Sequence, residues 1–321
     1  MSVQNFVGID VSKDDFYACF DEGEAAQQYP NTKGGISRLL LVLQQKQYHP
    51  ADTKIGIEST GAYYYRLSFD CTNKGYTVNI INPLITAGQN KATVRKTKND
   101  KKDAALIRYV LTQGHGYPFV ETKATLILKN LVRTRSYLSD LKRNIQRRAA
   151  DVSYKEAIIK EPITMLNQEV FAMLAQKIKQ LDQELRQHDK PTQTLLQTIP
   201  GLGPTTSAAL IAELTDITRF PSSKQLTAFL GLDPRTYESG TSIHGKGYIT
   251  KRGNTLLRTL IYNCTAVAIQ RPNIFRTYYT AKVSAGKPKM IALVATMHKL
   301  VRVIYAVWSK GAPYCEKEAG S

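Results

Sequence analysis

Four acidic residues are spaced so that a folded chain could bring them to one metal site. Asp10 and Glu58 each directly follow a short apolar run of the kind that forms a core strand. Asp100 and Asp103 are three residues apart, which puts both on one face of a helix. A carboxylate at the end of a buried strand is costly unless it is solvated, paired or bound to metal. Such a set would suit two Mg²⁺ or Mn²⁺ ions about 4 Å apart, acting on the attacking and leaving oxygens of a phosphodiester.

Each of these acids also has a purely structural interpretation. Asp10 could cap the turn before Ser12, and Asp100 and Asp103 could be first-turn acids that favour a helix N-terminus. The occurrence of all four, in this order and on these elements, favours the metal site. A basic segment surrounds the last pair and would suit a phosphate backbone or, equally, a solvated loop. Its residues are Lys91, Arg95, Lys96, Lys98, Lys101 and Lys102.

A possible nucleophile lies in the hydroxyl-rich stretch YESGTS, residues 237–242. The hydroxyl of Ser239 could attack a substrate, or it could bond its own backbone in a turn. A serine hydroxyl is a poor nucleophile until a base takes its proton or a metal stabilises the alkoxide. No base is obvious nearby, since His244 is five residues away. The residues alone leave both interpretations open.

The stretch IPGLGPTTSA, residues 199–208, is a helix-hairpin-helix signature. Its glycines allow a tight turn whose backbone N–H groups, at the start of the second helix, can hold a phosphate. The predicted contacts there are Gly201, Gly203 and Thr205, although a structural Gly-rich turn has the same pattern. Further predicted nucleic-acid contacts are Lys96, Lys98, Lys101, Arg235, Thr241, Ser242, Lys246, Lys251 and Arg252.

The elements that must position these residues fall into three segments. Residues 1–118 predict an α/β domain, in which three strands precede a helix, strand, helix, strand and helix. That order matches the ribonuclease H-like (RuvC-like) topology. Residues 119–190 predict a pair of long antiparallel helices with Pro162 between them, either a coiled-coil dimer element or a hairpin within one chain. Residues 191–321 predict a mostly helical domain, whose apolar last helix (about 288–309) is core or partner interface.

Composition identifies the class of partner. The chain has 321 residues, a formal net charge of +18 and a sequence pI of about 9.6, which suits a polyanion such as nucleic acid. No signal peptide or lipidation motif is recognisable, so a membrane partner is not expected. The four cysteines are far apart in the sequence and form no CxxC motif. They predict reduced thiols in a cytoplasmic protein and no zinc site.

Several motifs together resemble the DEDD insertion-sequence transposases of the IS one-ten family and their Piv-type DNA invertase relatives. The RuvC-like part of that family is matched by GIDVSKD at 8–14, GIESTGAYYY at 56–65, INP at 81–83 and KTKNDKKDA at 96–104. Its C-terminal transposase domain is matched by IPGLGPTTSA at 199–208, FLGLDPRTYESGTSIHGKG at 229–247 and TKRGNTLLRTLIY at 250–262. The resemblance covers nearly the whole chain in the same order.

The resemblance implies a role for each matched residue. The family's four metal-binding acids fall on Asp10, Glu58, Asp100 and Asp103, and its serine nucleophile falls on Ser239. The implied reaction cuts and exchanges strands of donor and target DNA through a phosphoserine intermediate. Family members are guided by a structured bridge-type RNA from the element's own non-coding end, and they assemble as dimers of dimers, that is, tetramers.

Three other functions compete with this interpretation. A metal-dependent junction endonuclease would use the four acids to activate water, with Ser239 as a bystander. A non-catalytic nucleic-acid scaffold would use only the hairpin motif and the basic surface. A tyrosine recombinase is the poorest match, because no Arg/His/Arg set surrounds any of the 18 tyrosines. The consecutive Tyr63, Tyr64 and Tyr65 could stack on bases, and we expect at least one of them to pack under the sheet.

Overall fold

The computed structural model divides the chain into two compact units, residues 1–120 and 121–321. It describes residues 5–59, 61–83, 85–87, 100–152, 157–234, 238–239, 243–244, 249–251 and 253–316. Within these ranges, the backbone alone is described for residues 100–101, 151–152, 157–162, 238–239 and 243–244. The three-segment division at 118 and 190 stays a prediction.

The first unit is built on a mixed six-stranded sheet in the order β3-β2-β1-β4-β5-β6. Strand β1 runs antiparallel to β2 and parallel to β4, and β4 runs parallel to β5. The outer strands β3 and β6 are antiparallel to their neighbours. The bounds are β1 Asn5–Val11, β2 Asp15–Cys19, β3 Gln27–Pro30, β4 Thr53–Glu58, β5 Thr77–Ile81 and β6 Tyr117–Pro118.

Helices cover both faces of this sheet. Helices α1 (Lys33–Gln45) and α2 (Tyr64–Asn73) pack on one face, against a core that includes Ile9 and Ile57. Helix α3 (Asp100–Thr112) packs on the opposite face. Successive residues of a strand point to opposite faces, so even-numbered β1 residues face α3 when odd-numbered ones face the main core. Phe6, which packs against α3, follows this rule.

The predicted order of strands and helices up to α3 is confirmed, with small differences at the boundaries. Asp10 is the last residue but one of β1, and Glu58 is the last residue of β4, so neither follows its strand as predicted. The sequence analysis missed β6, which is only two residues long. A strand this short leaves no hydrophobic periodicity to detect.

The second unit begins with an antiparallel helical hairpin of α4 (Lys123–Val152) and α5 (Ala157–Leu185). Arg135 of α4 pairs with Asp182 of α5 at 2.9 Å, and Lys142 lies over the ring of Phe171. The predicted antiparallel pair is therefore present within one chain. The predicted position of Pro162 was wrong, because Pro162 lies inside α5 rather than between the helices. It is the sixth residue of α5, so the helix continues past a residue that removes one intrahelical hydrogen bond.

The remaining helices of the second unit pack around a common core, as the mostly helical prediction required. They are α6 Lys190–Gln197, α7 Pro204–Leu214, α8 Ser223–Phe229, α9 Thr255–Ala268, α10 Ile274–Ser284 and α11 Lys289–Lys310. Helix α7 is buried on all sides, with nine of its eleven residues shielded from solvent. Helix α11 contributes Met297, Leu300 and Ile304 to the same core, which confirms it as a core helix. Of the helices described, α11 alone is long and apolar enough to cross a membrane, by length and composition only.

A buried carboxylate ties the helical hairpin to this core. Glu213 of α7 is 2% exposed and accepts two bonds from Arg133 of α4, at 2.7 and 3.0 Å. It also accepts a bond from the Asn254 side chain at 2.8 Å. The side-chain Oδ1 of Asn254 in turn caps α9 by accepting from the Leu257 N–H. One side chain therefore joins α4, α7 and the start of α9.

We expect Arg133→Ala to lower the free energy of unfolding by about 2–3 kcal/mol, because it leaves the buried Glu213 carboxylate without its charged partner. Chemical denaturation followed by circular dichroism measures the change. Arg143→Ala is the matched control on the same helix, since its ion pair with Asp140 is more than half exposed on both sides. The control should cost no more than about 0.5 kcal/mol, and equal effects for the two variants would contradict the interpretation.

Candidate active site

Strand register brings Asp10 and Glu58 side by side. The parallel strands β1 and β4 pair Gly8 with Gly56 and Ile9 with Ile57. Asp10 and Glu58 each come one residue after the last of these pairs, so they occupy adjacent positions on neighbouring strands. Side chains alternate along a strand, so both carboxylates share a face with Gly8 and Gly56. That face is the one covered by α3.

The paired glycines allow α3 to lie directly on the sheet. A Cβ atom on Gly8 would come closer than 3.0 Å to backbone atoms of Ala104 and Arg108. A Cβ atom on Gly56 would lie 3.1 Å from the Leu111 side chain. Glycine inside a strand often marks such a close approach of another backbone. Because neither glycine has a side chain, α3 can pack closely against β1 and β4. This close packing sets the distance between α3 and the two acids, Asp10 and Glu58.

Arg108 fastens the same helix to the sheet. Its Nε donates to the carbonyl oxygens of Phe6 at 3.0 Å and Phe20 at 2.9 Å, near the ends of two different strands. The sequence analysis missed Arg108, Gly8 and Gly56 as residues that position the site. GID and GIE precede the two acids in the sequence, and this repeated glycine was the available signal.

Three of the four predicted acids line one cavity of about 640 Å³ that opens to solvent. Asp10 comes from β1, Glu58 from β4 and Asp103 from the first turn of α3. Asp100 is the first residue of α3, but its side chain is outside the described part. Carboxylate oxygens are the donors that hard divalent cations prefer, so the donor chemistry fits such a cation. Among the described side chains, no three Asp, Glu, His or Cys residues lie close enough together to hold a metal ion.

The Glu58 carboxylate has a hydroxyl partner that the sequence did not suggest. Thr86, which is 5% exposed, places its Oγ1 3.1 Å from Glu58 Oε2 and 3.0 Å from the Pro83 carbonyl oxygen. Ser59, the next residue after Glu58, donates through its N–H and its hydroxyl to the Ile81 carbonyl. These bonds hold the end of β4 against β5 and orient the carboxylate.

We expect Thr86→Val to slow DNA cleavage about tenfold, because one hydrogen bond to a charged carboxylate is worth about 1.5 kcal/mol. Valine keeps the shape of the side chain and removes the hydroxyl. Single-turnover cleavage measured over a range of divalent-cation concentrations checks this, with Thr86→Ser as the control that keeps the bond. A valine variant as fast as the serine variant at every concentration would show that Thr86 does not orient Glu58.

The rim of the cavity is held by two cross-linked turns. Ser12 and Asp15 close the turn after β1, where the Ser12 N–H donates to the Asp15 carbonyl at 2.9 Å. The Asn31 side chain donates to the carbonyls of Ser12 at 2.9 Å and Tyr63 at 3.3 Å, both of which line the cavity. These bonds join the turn after β1 to the segment before α2 at the rim of the cavity.

The three consecutive tyrosines divide between core and cavity. Tyr64 is 7% exposed and stacks on Tyr65 with ring centroids 4.3 Å apart, which confirms the expected packing. Tyr63 is exposed and lines the cavity beside the acids. Of these tyrosines, Tyr63 remains the candidate for stacking on a base.

Ser239 lies in the second unit on a short antiparallel hairpin. Its strand, β7 (Glu238–Ser239), pairs with β8 (Ile243–His244), and Ser239 is in register with Ile243. The residues on either side of this hairpin are joined by a bridge between Pro234 and Ile249. They are also joined by a bond from the Thr250 N–H to the Asp233 carbonyl at 2.9 Å. The chain returns from there to the Asn254 cap that binds Glu213. The serine is thus carried on a loop anchored to the core of its unit.

The turn that is predicted to bind phosphate lies between α6 and α7. Gly201 has a positive φ of 90°, and a Cβ atom there would meet the Cys264 carbonyl at 2.5 Å, so close packing against α9 also requires glycine. Gly203 is the N-cap of α7. The Thr205 hydroxyl donates to Asp182 Oδ1 at 3.2 Å. An incoming phosphate would have to compete with this carboxylate, so phosphate binding by Gly201, Gly203 and Thr205 stays a prediction.

Most of the other predicted nucleic-acid contacts lie outside the residues that the structure describes. Lys251 is exposed and has a left-handed backbone with φ of 55°, an uncommon conformation for a residue other than glycine. Lys101 belongs to α3, but its side chain is not described. The predicted contacts outside the described residues are Lys96, Lys98, Arg235, Thr241, Ser242, Lys246 and Arg252.

Two parts of the chain match models of known protein families. Residues 7–152 match the family model of the DEDD transposase domain, described as a transposase. Residues 193–280 match the family described as transposase IS116/IS110/IS902. The pilin gene-inverting protein of Moraxella lacunata is 29% identical over 325 residues, 97% of this chain and 98% of that protein. A putative transposase of Sinorhizobium fredii is 26% identical over 97% of this chain and 86% of its own length. The transposase for insertion sequence element IS1111A of Coxiella burnetii is 47% identical over 66 residues, 21% of this chain and 18% of its own.

A mixed α/β sheet that presents carboxylates to one cavity, followed by a helical unit, is consistent with a DEDD transposase domain and the region that follows it. These features and matches define an enzyme that cleaves and transfers DNA strands. Two separate parts of the chain therefore match models of IS110/IS116-type transposases, the IS one-ten family that its motifs resemble. The DEDD domain also suggests a dependence on a divalent metal.

Proposed function

We propose that this protein is an insertion-sequence transposase that exchanges donor and target DNA strands through a phosphoserine intermediate at a Mg²⁺-dependent acidic site. The observation that carries the proposal is the single cavity lined by Asp10, Glu58 and Asp103. The sheet order β3-β2-β1-β4-β5 supports a RuvC-like assignment of the first unit. The reaction would take place at the nucleoid, in the cytoplasm of a prokaryotic cell.

The four acids would hold the cation. Asp10, Glu58 and Asp103 supply oxygen donors from two strands and a helix, and Asp100 begins the same helix. A Mg²⁺ or Mn²⁺ ion held there would neutralise phosphate charge and lower the pKa of an attacking hydroxyl. Thr86 orients the Glu58 carboxylate by its hydrogen bond to one of the two oxygens.

Ser239 supplies the nucleophile in this proposal. Its Oγ forms a bond to the scissile phosphorus, while the bond from phosphorus to the 3′-oxygen of the cut strand breaks and that oxygen leaves as a hydroxyl. A 3′-hydroxyl of another strand then attacks the phosphoserine, and the serine hydroxyl is regenerated. Each step exchanges one phosphate ester for another, so no ATP is needed. The proposed reaction requires Ser239 to reach an acid site of the same or a partner chain.

Guidance by a bridge-type RNA and assembly of dimers into tetramers complete the proposal. Both are supported by the motif resemblance, and RNA binding also by the net charge of +18. Apolar side chains remain exposed on the helical hairpin, among them Tyr137, Met165 and Leu166, each at least 60% exposed. Such a surface on two long helices suits a contact with another copy of the chain. Omission of the RNA should abolish site-specific cleavage, and light scattering should give the mass of a dimer or tetramer.

The decisive experiment uses labelled donor DNA, the cognate non-coding RNA and Mg²⁺, analysed on a denaturing gel. The wild type is compared with Ser239→Ala and Asp10→Ala. We expect a covalent protein–DNA band in the wild type that is absent from both variants. Cleavage that survives Ser239→Ala without any covalent band would overturn the nucleophile assignment.

That second outcome would indicate a metal-dependent junction endonuclease, the other function that a specific observation favours. All the residues that line the acid cavity belong to the first unit, so a hydrolytic site could operate there with water as the nucleophile. The two functions differ in their products. Hydrolysis leaves free DNA ends, whereas the serine route leaves protein attached to DNA.

A further inference from the structure

The C-terminal part of the chain has many basic residues and almost no acidic ones. Between Ser239 and Cys315 the sequence has twelve Lys and Arg residues and no Asp or Glu. This segment therefore supplies a large part of the net charge of +18. The described portion of it includes α9, α10 and α11, which pack into the core through their apolar sides. Their cations must be on the remaining surface, since Lys and Arg stems can bury while their charged heads stay in water.

Two of these lysines converge on one aromatic ring. Lys282 Nζ lies over the ring of Tyr278, 5.2 Å from its centroid, and Lys299 Nζ lies over the same ring at 4.8 Å. Tyr278 and Lys282 belong to α10, whereas Lys299 comes from the middle of α11. Arg302 follows Lys299 by three residues, on the same side of α11, and is exposed. We call Tyr278, Lys282, Lys299 and Arg302 the Tyr278 cluster.

The cluster gathers positive charge without a matching acid. Within the described residues, Lys282, Lys299 and Arg302 make no ion pair within 4.0 Å. Burial lowers the pKa of Lys299, and the charge of Arg302 lowers it further, while Glu316 acts weakly in the opposite sense. Glu316 is in addition engaged by the backbone N–H of Ile274 at the start of α10. The cluster therefore carries charge repulsion that a bound anion would relieve.

A helix-terminus role does not explain this arrangement. Lys282 is in the last turn of α10, where a cation favours the helix dipole. Lys299 is far from either end of α11, and it is drawn partly out of solvent instead of extending into it. Since both ammonium groups lie over the ring, Tyr278 is not open for stacking on a base. The side chains that remain to meet a ligand are cations, which bind phosphates of any sequence.

We propose that the Tyr278 cluster is a binding surface for the phosphate backbone of duplex DNA, made of residues other than the four acids, Ser239 and the nucleic-acid contacts predicted from the sequence. The proposal rests on the function proposed above, which makes DNA the polyanion that this enzyme handles. The surface would hold DNA without reading its sequence, and it would add to affinity without taking part in strand cleavage.

The test measures binding alone, so that it does not depend on cleavage. The full-length protein is titrated into fluorescently labelled duplex DNA in EDTA, and the dissociation constant is followed as KCl is raised. For the double variant Lys282→Gln/Lys299→Gln, we expect affinity to fall at least about tenfold at 0.1 M salt. The slope of log affinity against log salt should flatten by about 2, because each lost phosphate contact removes about 0.9.

The matched control is Lys289→Gln/Lys310→Gln, which removes the same charge from the two ends of α11. An equal loss in the control would overturn the proposal, because charge alone would then explain the effect. Arg302→Gln, at an exposed position, tests the cluster without a risk to folding and should flatten the slope by about 0.9. An unchanged slope in that variant would count against the proposal.

An RNA hairpin of similar length serves as the second probe. A loss of affinity confined to the RNA, with DNA binding unchanged, would overturn the assignment to DNA. A wild-type protein that binds no DNA would overturn both this inference and the proposed function. Wild-type binding that the double variant retains in full would overturn this inference and leave the proposed function standing.

Discussion

Asp10→Asn is expected to reduce the rate of DNA strand cleavage by about 1,000-fold, equivalent to about 4 kcal/mol of transition-state stabilisation. Asp10 lines the same cavity as Glu58 and Asp103, and the substitution removes one carboxylate oxygen from the donors available to a cation. Asn keeps the shape of the side chain but not its charge. Single-turnover cleavage of labelled donor DNA in saturating Mg²⁺ measures the change.

The same variant should not lose stability, and this separates a functional acid from a structural one. Asp10 belongs to a group of acids around one cavity, where like charges disfavour each other. Without a divalent cation, the free energy of unfolding of Asp10→Asn should equal or exceed that of the wild type. Added Mg²⁺ should raise the melting temperature of the wild type and leave that of the variant unchanged, because a ligand stabilises only a fold that binds it.

Asp14→Asn is the control for this prediction. Asp14 is exposed at the turn after β1, a few residues from Asp10, and it does not line the cavity. Its substitution should leave both the cleavage rate and the Mg²⁺-dependent melting shift near the wild-type values. If Asp10→Asn cleaved DNA as fast as Asp14→Asn, the carboxylate would have no part in catalysis. If it unfolded more readily in EDTA, Asp10 would be a structural residue.

The sequence was enough to locate the acids, because local patterns determine where they stand. An apolar run predicts a strand, and an acid at its end predicts a solvated or metal-bound carboxylate. The order of strands and helices up to α3 was confirmed, and the structure brings three of the four predicted acids to one cavity. The roles of the acids and of Ser239 remain predictions that rest on the proposed reaction.

The residues that hold the acids in place could not be predicted, because their contacts join distant parts of the chain. Arg108 bonds a carbonyl 102 residues away, and Thr86 reaches Glu58 across 28 residues. A threonine or an arginine in isolation has no sequence signature for such a bond. The prediction for Pro162 was wrong for a different reason. The local rule that proline interrupts a helix placed a helix boundary at Pro162, where α5 continues.

Gly8→Ala is expected to destabilise the first unit by about 3 kcal/mol and to slow cleavage by about 100-fold. The new methyl group would overlap the backbone of Ala104 and Arg108, and backbone cannot move aside as a side-chain tip can. Helix α3 must therefore shift away from β1, and it carries Asp103 with it. A displacement of about 1 Å at a catalytic group can cost two orders of magnitude in rate. Thermal unfolding and single-turnover cleavage measure the two effects.

A graded series of glycine substitutions tests whether the distance of α3 from the sheet is the cause. Gly56→Ala should have a smaller effect, because its nearest contact is the movable Leu111 side chain at 3.1 Å. Gly34→Ala, in the first turn of α1, should be neutral or slightly stabilising, since its only near neighbour is 3.9 Å away and alanine favours a helix. The expected order of damage is thus Gly8, Gly56, Gly34. If Gly8→Ala kept wild-type cleavage while losing stability, the position of α3 would matter for folding alone, and Asp103 would not need the placement seen in the cavity.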